Sequence, residues 1–587
     1  MPDIMCGIVG VVGRPPEDRS TIERMVAALR HRGPDDCGVW TSPEAHLGHT
    51  RLSILDLSPA GHQPMEHGNL VLTYNGEIYN FLELRRELDG EFHSESDTEV
   101  LLRLLERDGL RCVPRLRGMF AFAAWNGRRR RLEAARDPLG IKPFYYRELD
   151  SGLAFASEAK SLLELGRPAA DLSALRDVLT YGYVPTPKSA WQGISKLPPG
   201  HTLVWENGRL EIERYWSPST SIEFRDMREA CERLDELLSE IVPLHTLADV
   251  PVGVFLSGGI DSTVVTSFLE KPRTFTIGQD VSRRSEAPAA RRVAIHFGTR
   301  HREEIAGQVD LERALAAMPG LYDEPYGDSA AWSVWLVSRL ARRDVTVALS
   351  GEGGDELFCG YQWYSRFFDR PANRLEKMFG PLVPPLSDLG RSLNRRAADG
   401  IARYGSFLEV FTDEQRGVLM GPKLVDAHGD DLWHFRAHWR PDLDPIRRMQ
   451  WADLHTYLPD AMLTKVDRAS MAHSLEVRPP LLDRHLVEFA LSLDPSLQRD
   501  VAANKGKLVI RRLMGDRVPP GHFERPKRGF NLPIRQWLRR YPRLLDGALD
   551  RLADAGLIRR PRWAHFKGEQ AWTLLVLDRW LIQSGGL

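Results

Sequence analysis

The sequence predicts two structural units in one chain of 587 residues: an α+β sandwich, then an α/β parallel-sheet domain with a helical C-terminal part. Two observations indicate this order. Paired strand signals joined by short turns fill the first part of the chain, which is typical of antiparallel sheets. Further along, short apolar strands alternate with helical patterns, which is typical of a parallel sheet covered by helices. A chain of this length is expected to bury more than one core.

The elements of the first unit follow from local patterns. The apolar run from Met5 to Val12 predicts a strand, and apolar residues at helical spacing predict a helix over 21–30. Asn126-Gly127 predicts a hairpin with a two-residue loop. A second hairpin is predicted around Asp150-Ser-Gly152. Together these signals predict an antiparallel α+β unit over residues 6–210.

The second unit is predicted over residues 226–587, after a domain junction at 216–225. It begins with a helix over 227–241 and continues with alternating strands and helices. In order, these are a strand at 250–256, a helix at 262–269, a strand at 273–278, a helix at 286–297, a strand at 301–305, a helix at 330–342 and a strand at 345–349. Such alternation predicts a ligand site at the carboxyl ends of the strands.

Composition excludes several function classes. The chain has 79 basic and 80 acidic residues and a net charge of −1, so no nucleic-acid partner is expected. Its 5 cysteines lack C-x-x-C pairs, which favours a reducing cytoplasm over a disulfide framework. No apolar run reaches the roughly 18 residues of a membrane span, so no membrane association is expected. No zinc-binding spacing of histidine and cysteine is found.

The stretch Phe255-Leu-Ser-Gly-Gly-Ile-Asp-Ser262 joins a predicted strand to a predicted helix. Such a turn directs backbone N–H groups and a helix N-terminus at one point, where a phosphate would bind. The loop lacks the lysine that serves the β- and γ-phosphates in common nucleotide loops, and it carries Asp261, a suitable magnesium ligand. Its SGG-x-DS pattern resembles the loop of ATP pyrophosphatases, which release pyrophosphate. A glycine-rich turn without a ligand remains the alternative.

A second glycine-rich loop, Ser350-Gly-Glu-Gly-Gly-Asp-Glu356, follows the strand predicted at 345–349. We expect it to open beside the first loop, because both follow parallel strands. Asp355 would then join Asp261 as a magnesium ligand that neutralises the charge of ATP. A solvated glycine-rich loop without a metal is the alternative.

Five motifs of the first unit occur in an order that resembles the class II glutamine amidotransferase domain, a glutaminase with the αββα N-terminal-nucleophile fold. The motifs are Cys6, His31-Arg-Gly-Pro-Asp35, His49-Thr-Arg-Leu-Ser-Ile54, Tyr74-Asn-Gly-Glu-Ile-Tyr-Asn80 and Ser96-Asp-Thr-Glu99. The resemblance implies that Cys6 is the nucleophile, that its own α-amino group is the base, and that Asn75 and Gly76 form the oxyanion hole. It implies glutamine binding by Arg51, Asn75, Glu77 and Asp97.

The residue types suit this chemistry. Amide hydrolysis needs a nucleophile and donors for the tetrahedral oxyanion, and an amino-acid substrate needs a cation and an anion for its charged ends. Each residue taken alone has another interpretation. Cys6 is also typical of a small buried apolar residue, Asp97 of a helix N-cap, and Asn75-Gly76 of a turn.

The two glycine loops, Leu458–Ala472 and Leu475-Glu-Val-Arg478 resemble the synthetase domain of glutamine-hydrolysing asparagine synthetases. The resemblance covers nearly the whole chain. It implies that ATP contacts Leu256, Ser257, Gly258, Gly259, Asp261, Ser262, Ile277, Ser350, Gly351 and Glu352. It also implies a catalytic lysine, matched best by Lys507, with Lys505 as the competitor.

The activity implied by this resemblance is conversion of aspartate, glutamine and ATP to asparagine, glutamate, AMP and pyrophosphate, with Mg²⁺ as cofactor. It is compatible with a homodimer. No residues of the sequence are assigned to the two charged ends of the acceptor. The alternatives are the same chemistry on a cell-wall or secondary-metabolite carboxylate, and a glutamine- or ATP-binding regulator without turnover. A β-lactam-forming relative is disfavoured because it needs no nucleophilic Cys6.

The start of the chain bears on the proposed base. Met1-Pro-Asp-Ile-Met5 precedes Cys6, so the Cys6 nitrogen is a non-basic amide in the written sequence. A free α-amino group has a pKa of about 7.7–8.0 and accepts a thiol proton near neutral pH. We therefore expect the active protein to begin at Cys6, through translation from Met5 and removal of that methionine.

Overall fold

The structure is a computed structural model. The residues that it describes are 6–587 except 17, 34, 280–284, 307, 370–372, 375–377, 379–387, 399, 428, 525–533, 535–541 and 561–565. Residues 1–5, on which the start-site prediction depends, therefore lie outside the described residues.

The first unit contains two sheets and a small set of helices. Its strands are β1 (Gly7–Val12), β2 (Asp36–Thr41), β3 (Ala45–Arg51), β4 (Met65–His67), β5 (Leu70–Ile78), β6 (Gly118–Asn126), β7 (Arg131–Arg136), β8 (Tyr145–Leu149), β9 (Gly152–Ala156), β10 (Ile194–Lys196), β11 (His201–Glu206) and β12 (Arg209–Arg214). Its helices are α1 (Ser20–Ala27), α2 (Phe81–Arg85), α3 (Asp97–Asp108), α4 (Ala159–Leu162) and α5 (Leu172–Tyr181).

The two sheets face each other and form the predicted αββα sandwich. One sheet has the order β10-β8-β9-β1-β3-β2 and the other β12-β11-β7-β6-β5-β4, with antiparallel neighbours throughout both. Ile8, Leu47, Val71, Trp125 and Phe155 belong to the apolar core between them. Helix α1 packs on β1 and β3, and α3 packs on β4 and β5, so each sheet has a helix on its outer face.

Both predicted hairpins are present, with one correction. Strands β8 and β9 pair up to Leu149 and Gly152, so their turn lies where the second hairpin was predicted. Strands β6 and β7 pair up to Asn126 and Arg131, which leaves residues 127–130 in the loop. The two-residue loop predicted there is therefore wrong: Asn126 is part of the strand ladder.

The second unit contains a parallel sheet and many helices. Its strands are β13 (Val252–Phe255), β14 (Arg273–Gln279), β15 (Arg300–Ala306), β16 (Val347–Leu349), β17 (Glu476–Arg478), β18 (Arg499–Asp500) and β19 (Lys505–Gly506). Its first helices are α6 (Met227–Leu244), α7 (Ile260–Ser267), α8 (Ala287–His296), α9 (Gln308–Tyr322), α10 (Ala331–Ala341), α11 (Gly354–Leu357) and α12 (Trp363–Arg366).

The C-terminal part is helical, as predicted. Its helices are α13 (Asp388–Ala397), α14 (Gly400–Leu408), α15 (Asp413–Leu419), α16 (Pro422–Asp426), α17 (Trp433–Ala437), α18 (Pro445–His455), α19 (Thr464–Met471), α20 (Arg484–Ser492), α21 (Pro495–Gln498), α22 (Leu508–Met514), α23 (Pro542–Asp554) and α24 (Gly568–Gln583). A π-helical segment, Leu458–Leu463, leads into α19. No helix in the described part of the chain is long and apolar enough to cross a membrane.

The parallel sheet positions the nucleotide loops. Its order is β15-β14-β13-β16-β17, and every neighbouring pair is parallel. Strand β13 lies in the middle, between β14 and β16, so the chain runs outward on both sides of it. Ligands of such sheets bind where the strand order reverses, outside the carboxyl ends of the strands. The glycine-rich stretches after β13 and β16 both start at that edge.

Candidate active site

Cys6 lies directly before β1 in the first unit. Its sulfur accepts a hydrogen bond from the Leu52 N–H (3.3 Å), and the Arg32 Nε donates to the Cys6 carbonyl (3.1 Å). Burial raises the pKa of the Cys6 thiol to about 12. The thiol is therefore protonated near neutral pH, and its use as a nucleophile requires a base within reach.

Asn75 and Gly76 lie in β5. Asn75 is fully buried, and within the described residues neither the nitrogen nor the oxygen of its side-chain amide has a hydrogen-bond partner. A side chain at position 76 would lie 2.2 Å from the Met119 carbonyl oxygen, so only glycine fits. An unpartnered buried amide is costly unless a ligand satisfies it. This geometry fits the predicted oxyanion hole.

Arg51 is the last residue of β3 and is nearly buried. Its guanidinium donates to the backbone carbonyls of Ser58 (3.0 Å) and Leu55 (3.3 Å), and it forms no ion pair with any acid that the structure describes. Backbone carbonyls therefore hold the cation without cancelling its charge. This suits the prediction that Arg51 binds the glutamine α-carboxylate.

Asp97 is held by the Tyr74 hydroxyl (2.6 Å) and the Ile78 N–H (2.9 Å). Helix α3 begins at Asp97 with Ser96 as its N-cap residue, so the alternative that Asp97 is the N-cap is wrong. Burial raises the pKa of the Asp97 carboxyl to about 6. Asp97 thus lies against β5, the strand that carries Asn75, and this position is compatible with binding the glutamine α-amino group.

Glu77 is bound to the second unit. Its Oε2 accepts from the Arg478 guanidinium (2.8 Å), while its Oε1 has no partner within the described residues. Lys142 reaches the second unit in the same way, with its Nζ 3.3 Å from an oxygen of Glu476. Sequence reasoning noted the motif that contains Glu476 and Arg478 but assigned it no role.

The first nucleotide loop is shaped by its glycines and serines. The Ser257 and Ser262 hydroxyls lie 3.0 Å apart, and the Gly259 N–H donates to Ser257 Oγ (3.1 Å). Gly258 has φ +71°, and a Cβ there would lie 2.5 Å from the Ala290 nitrogen. Only glycine allows this left-handed turn to pass so close to α8.

The two loops meet, as predicted. A Cβ at Gly351 would lie 2.7 Å from the Ser262 nitrogen, and one at Gly354 would lie 2.4 Å from Asp261 Oδ1. The glycines of the second loop therefore let it pack directly on the first one.

Lys507 connects the two acidic residues of these loops. Its Nζ lies 2.6 Å from Asp261 Oδ1 and 2.7 Å from Asp355 Oδ1. Burial disfavours the charged ammonium, but the two carboxylates outweigh burial and raise the pKa of Lys507. Lys505 is exposed and has no ion pair in the described part of the chain. Of the two candidate lysines, Lys507 is the one at the acids.

A cavity of about 560 Å³ opens in front of this cluster. Of the predicted nucleotide contacts, those lining it are Ser257, Gly258, Gly259 and Asp261, together with Asp355 and Lys507. Those that do not line it are Leu256, Ser262, Ile277, Ser350, Gly351 and Glu352. Sequence reasoning missed the cations Arg499 and Arg511 in its wall, for which no motif gave a signal.

Ser350 and Glu352 line a separate, narrow cavity instead. It also contacts Lys142 of the first unit and Ser470 of α19. The Ser350 hydroxyl is buried and has no partner among the described residues. These two residues therefore face the contact between the two units.

The acidic pair fits a magnesium ion. Oxygens of Asp261 and Asp355 converge on one atom, the Lys507 Nζ, at the wall of the cavity. No group of three or more metal-binding side chains occurs in the described residues, so the described part of this site offers a pair of carboxylates. Mg²⁺ is typically bound by one or two carboxylates together with substrate phosphates, which matches such a pair.

Comparisons with known proteins cover both units of the chain. A family model described as "Asparagine synthase" matches residues 233–582, and one described as "Glutamine amidotransferase domain" matches residues 5–216. A "Putative asparagine synthetase (glutamine-hydrolyzing)" of Mycobacterium bovis is 34% identical over 98% of this chain and 97% of the relative. "Asparagine synthetase (glutamine-hydrolyzing) 1" of Bacillus subtilis is 32% identical over 91% and 88%. "Amidase chry2" of Gibberella zeae is 30% identical over 91% and 90%.

Proposed function

Because the chain belongs to the asparagine synthetase family of glutamine-hydrolysing ligases, we propose that it transfers nitrogen from glutamine to the side-chain carboxylate of aspartate. ATP is the activating substrate, and a β-aspartyl adenylate is the intermediate. The products are asparagine, glutamate, AMP and pyrophosphate. The observation that carries the proposal is the cluster of Lys507, Asp261 and Asp355 between the two touching glycine loops.

The glutaminase half begins at Cys6. Its thiol gives its proton to a base, and the sulfur attacks the side-chain carbonyl carbon of glutamine. The free α-amino group that Cys6 would have as first residue is the proposed base. The Asn75 amide and the Gly76 N–H stabilise the oxyanion, and one such donor typically contributes about 10²–10³-fold in rate. Ammonia leaves, and water then hydrolyses the thioester to glutamate.

The synthetase half uses a cation, Lys507, to stabilise negative charge. A carboxylate oxygen of the acceptor attacks the α-phosphorus of ATP and pyrophosphate leaves; ammonia then attacks the acyl carbon and AMP leaves. Lys507 stabilises the negative charge that develops in both steps. The N–H groups and hydroxyls of Ser257–Ser262 bind phosphate oxygens. Mg²⁺, which Asp261 and Asp355 would hold, supplies neutralisation of triphosphate charge.

The acceptor is tested by a panel of carboxylates. The enzyme is supplied with ATP, Mg²⁺ and ammonium, and pyrophosphate release is measured for aspartate, its homologues and larger carboxylic acids. We expect aspartate to give the highest kcat/KM. Pyrophosphate release with another carboxylate and none with aspartate would overturn the assignment of aspartate as the acceptor. The proposed two-step chemistry would not be affected.

A second candidate is the same chemistry on a different carboxylate. The observation that favours it is the relative named an amidase, which matches this chain over nearly its full length. The panel of carboxylates separates the two candidates. If the acceptor is a different carboxylate, that compound gives pyrophosphate release, and added aspartate does not inhibit this release.

A further inference from the structure

Arg478 contacts both centres at once. It is the last residue of β17, the edge strand of the parallel sheet, and it is fully buried. Its backbone carbonyl accepts a hydrogen bond from the Ser350 N–H (2.9 Å), at the start of the second nucleotide loop. Its guanidinium donates to Glu77 (2.8 Å), two residues beyond Asn75. A single residue of the synthetase unit therefore joins the nucleotide loop to the glutamine centre.

Arg478 is the cation that binds the Glu77 carboxyl. Burial raises the pKa of this carboxyl well above its ordinary value, and the Arg478 guanidinium opposes that rise without cancelling it. The neighbouring Asp97 and Glu476 carboxylates raise it further. Without the arginine, the Glu77 Oε2 would lose the donor that holds it, because its Oε1 has no partner within the described residues.

The guanidinium has further partners in the synthetase unit. Its NH1 donates to the backbone carbonyls of His245 (3.1 Å) and Leu247 (2.7 Å), and its Nε donates to Glu476 (2.8 Å). The guanidinium that holds Glu77 is therefore fixed both by the segment after α6 and by β17, and β17 also contacts the Ser350 loop. The end of β17 pairs with Leu349, the residue directly before Ser350.

We propose that Arg478 is a positioning residue that holds the Glu77 carboxyl in place for the glutamine α-ammonium group, and that it couples this site to the Ser350 loop. The inference rests on the proposed function, because it assigns glutamine to the first centre and ATP to the second. Its consequence is that occupation of the nucleotide centre changes the KM for glutamine, and that this change depends on the Arg478 side chain.

The test uses the full-length enzyme with Arg478→Gln. Glutamate release from glutamine is measured with and without ATP and aspartate, and ammonium-dependent AMP formation is measured separately. Loss of a charge-assisted contact is expected to raise the glutamine KM by roughly 10- to 100-fold, with a smaller change in kcat. Ammonium-dependent synthesis should stay within about threefold, since it does not use Glu77. The glutamine KM of the wild-type enzyme should shift on addition of ATP and aspartate, and that of the variant should not shift.

The controls separate positioning from structural support. A partly unfolded variant contains less active enzyme, which lowers the apparent kcat and leaves KM unchanged. Arg117→Gln is the matched control, because Arg117 also forms a buried ion pair between the units, with Asp483 (2.7 Å), and does not contact Glu77. It should leave the glutamine KM unchanged. If Arg478→Gln does not fold, Arg478→Lys keeps a cation near Glu77 and should give an intermediate KM.

Three results would overturn the inference. The first is an unchanged glutamine KM in Arg478→Gln, or in Arg478→Lys where only the lysine variant folds. The others are an equal rise of the glutamine KM in Arg117→Gln, and a wild-type glutamine KM that does not change on addition of ATP and aspartate. Failure of the proposed function looks different. In that case the wild-type enzyme forms no AMP with ammonium and any carboxylate, whereas the effect of Arg478→Gln on the glutamine KM is still measurable.

Discussion

Replacing Lys507 by alanine tests the centre that carries the proposed function. The ammonium lies within 2.7 Å of both Asp261 and Asp355 and is almost fully buried. Loss of one preorganised donor to developing charge typically lowers kcat by about 10²–10³-fold, or about 2.7–4 kcal/mol. The two acids, each less than a fifth exposed, would also lose their shared cation and repel the triphosphate. We therefore expect a loss of at least about 10²-fold together with a higher KM for ATP.

The assay measures AMP formed from ATP, acceptor and ammonium, and glutamate formed from glutamine alone. Lys507→Ala should lower the first rate and leave the second nearly unchanged, because the glutamine centre lies in the other unit. Lys505→Ala is the control: an exposed charge without an ion pair in the described residues should matter less than about fivefold. A larger effect of Lys505→Ala than of Lys507→Ala would refute the assignment of the catalytic lysine.

Three further predictions follow from the two centres. Turnover should produce AMP and pyrophosphate, because the loop at Ser257–Ser262 has no lysine for γ-phosphoryl transfer; ADP and phosphate as first products on chromatography would contradict this. Cys6→Ala should abolish glutamine-dependent synthesis and spare ammonium-dependent synthesis; an equal loss of both in folded protein would argue against the assignment. Protein that begins at Cys6, as verified by intact mass, should release glutamate about 10²–10⁴-fold faster than protein retaining residues 1–5, because burial raises the thiol pKa to about 12 and only a free amine is basic. Equal rates of glutamate release by the two forms would show that the α-amino group is not the base.

The parts of the fold that sequence predicted are those set by local patterns. The α+β sandwich and the alternating strands and helices follow from periodicity and turn residues, and the contact between the two glycine loops follows from the parallel strands that precede them. The αββα arrangement came from the family resemblance. The predicted two-residue loop was wrong, because Asn126 ends the strand ladder and the loop spans residues 127–130. Local sequence signals predict that a hairpin is present more reliably than they predict the residue at which its strand pairing ends.

The parts of the candidate site that sequence did not predict depend on contacts between distant residues. Glu77 and Arg478 lie 401 positions apart, and no spacing rule connects them. The cations Arg499 and Arg511 reach the nucleotide cavity only through the packing of the C-terminal segment, which has no motif of its own. Motifs identify residues that perform chemistry, whereas residues that position them are recognised only once the units are packed together.

The contact between the units also constrains how nitrogen moves between the centres. Arg32, which is fully buried and bonds to the Cys6 carbonyl, forms ion pairs with Glu158 (2.6 Å) of its own unit and Asp467 (2.9 Å) of α19. Arg468 of the same helix binds Glu158 as well (2.8 Å). Separating the units would break these pairs, which join residues beside Cys6 to α19 of the other unit. We infer that the units stay together during turnover. Under the proposed function, ammonia formed at Cys6 would then pass to the second centre while the units remain in contact.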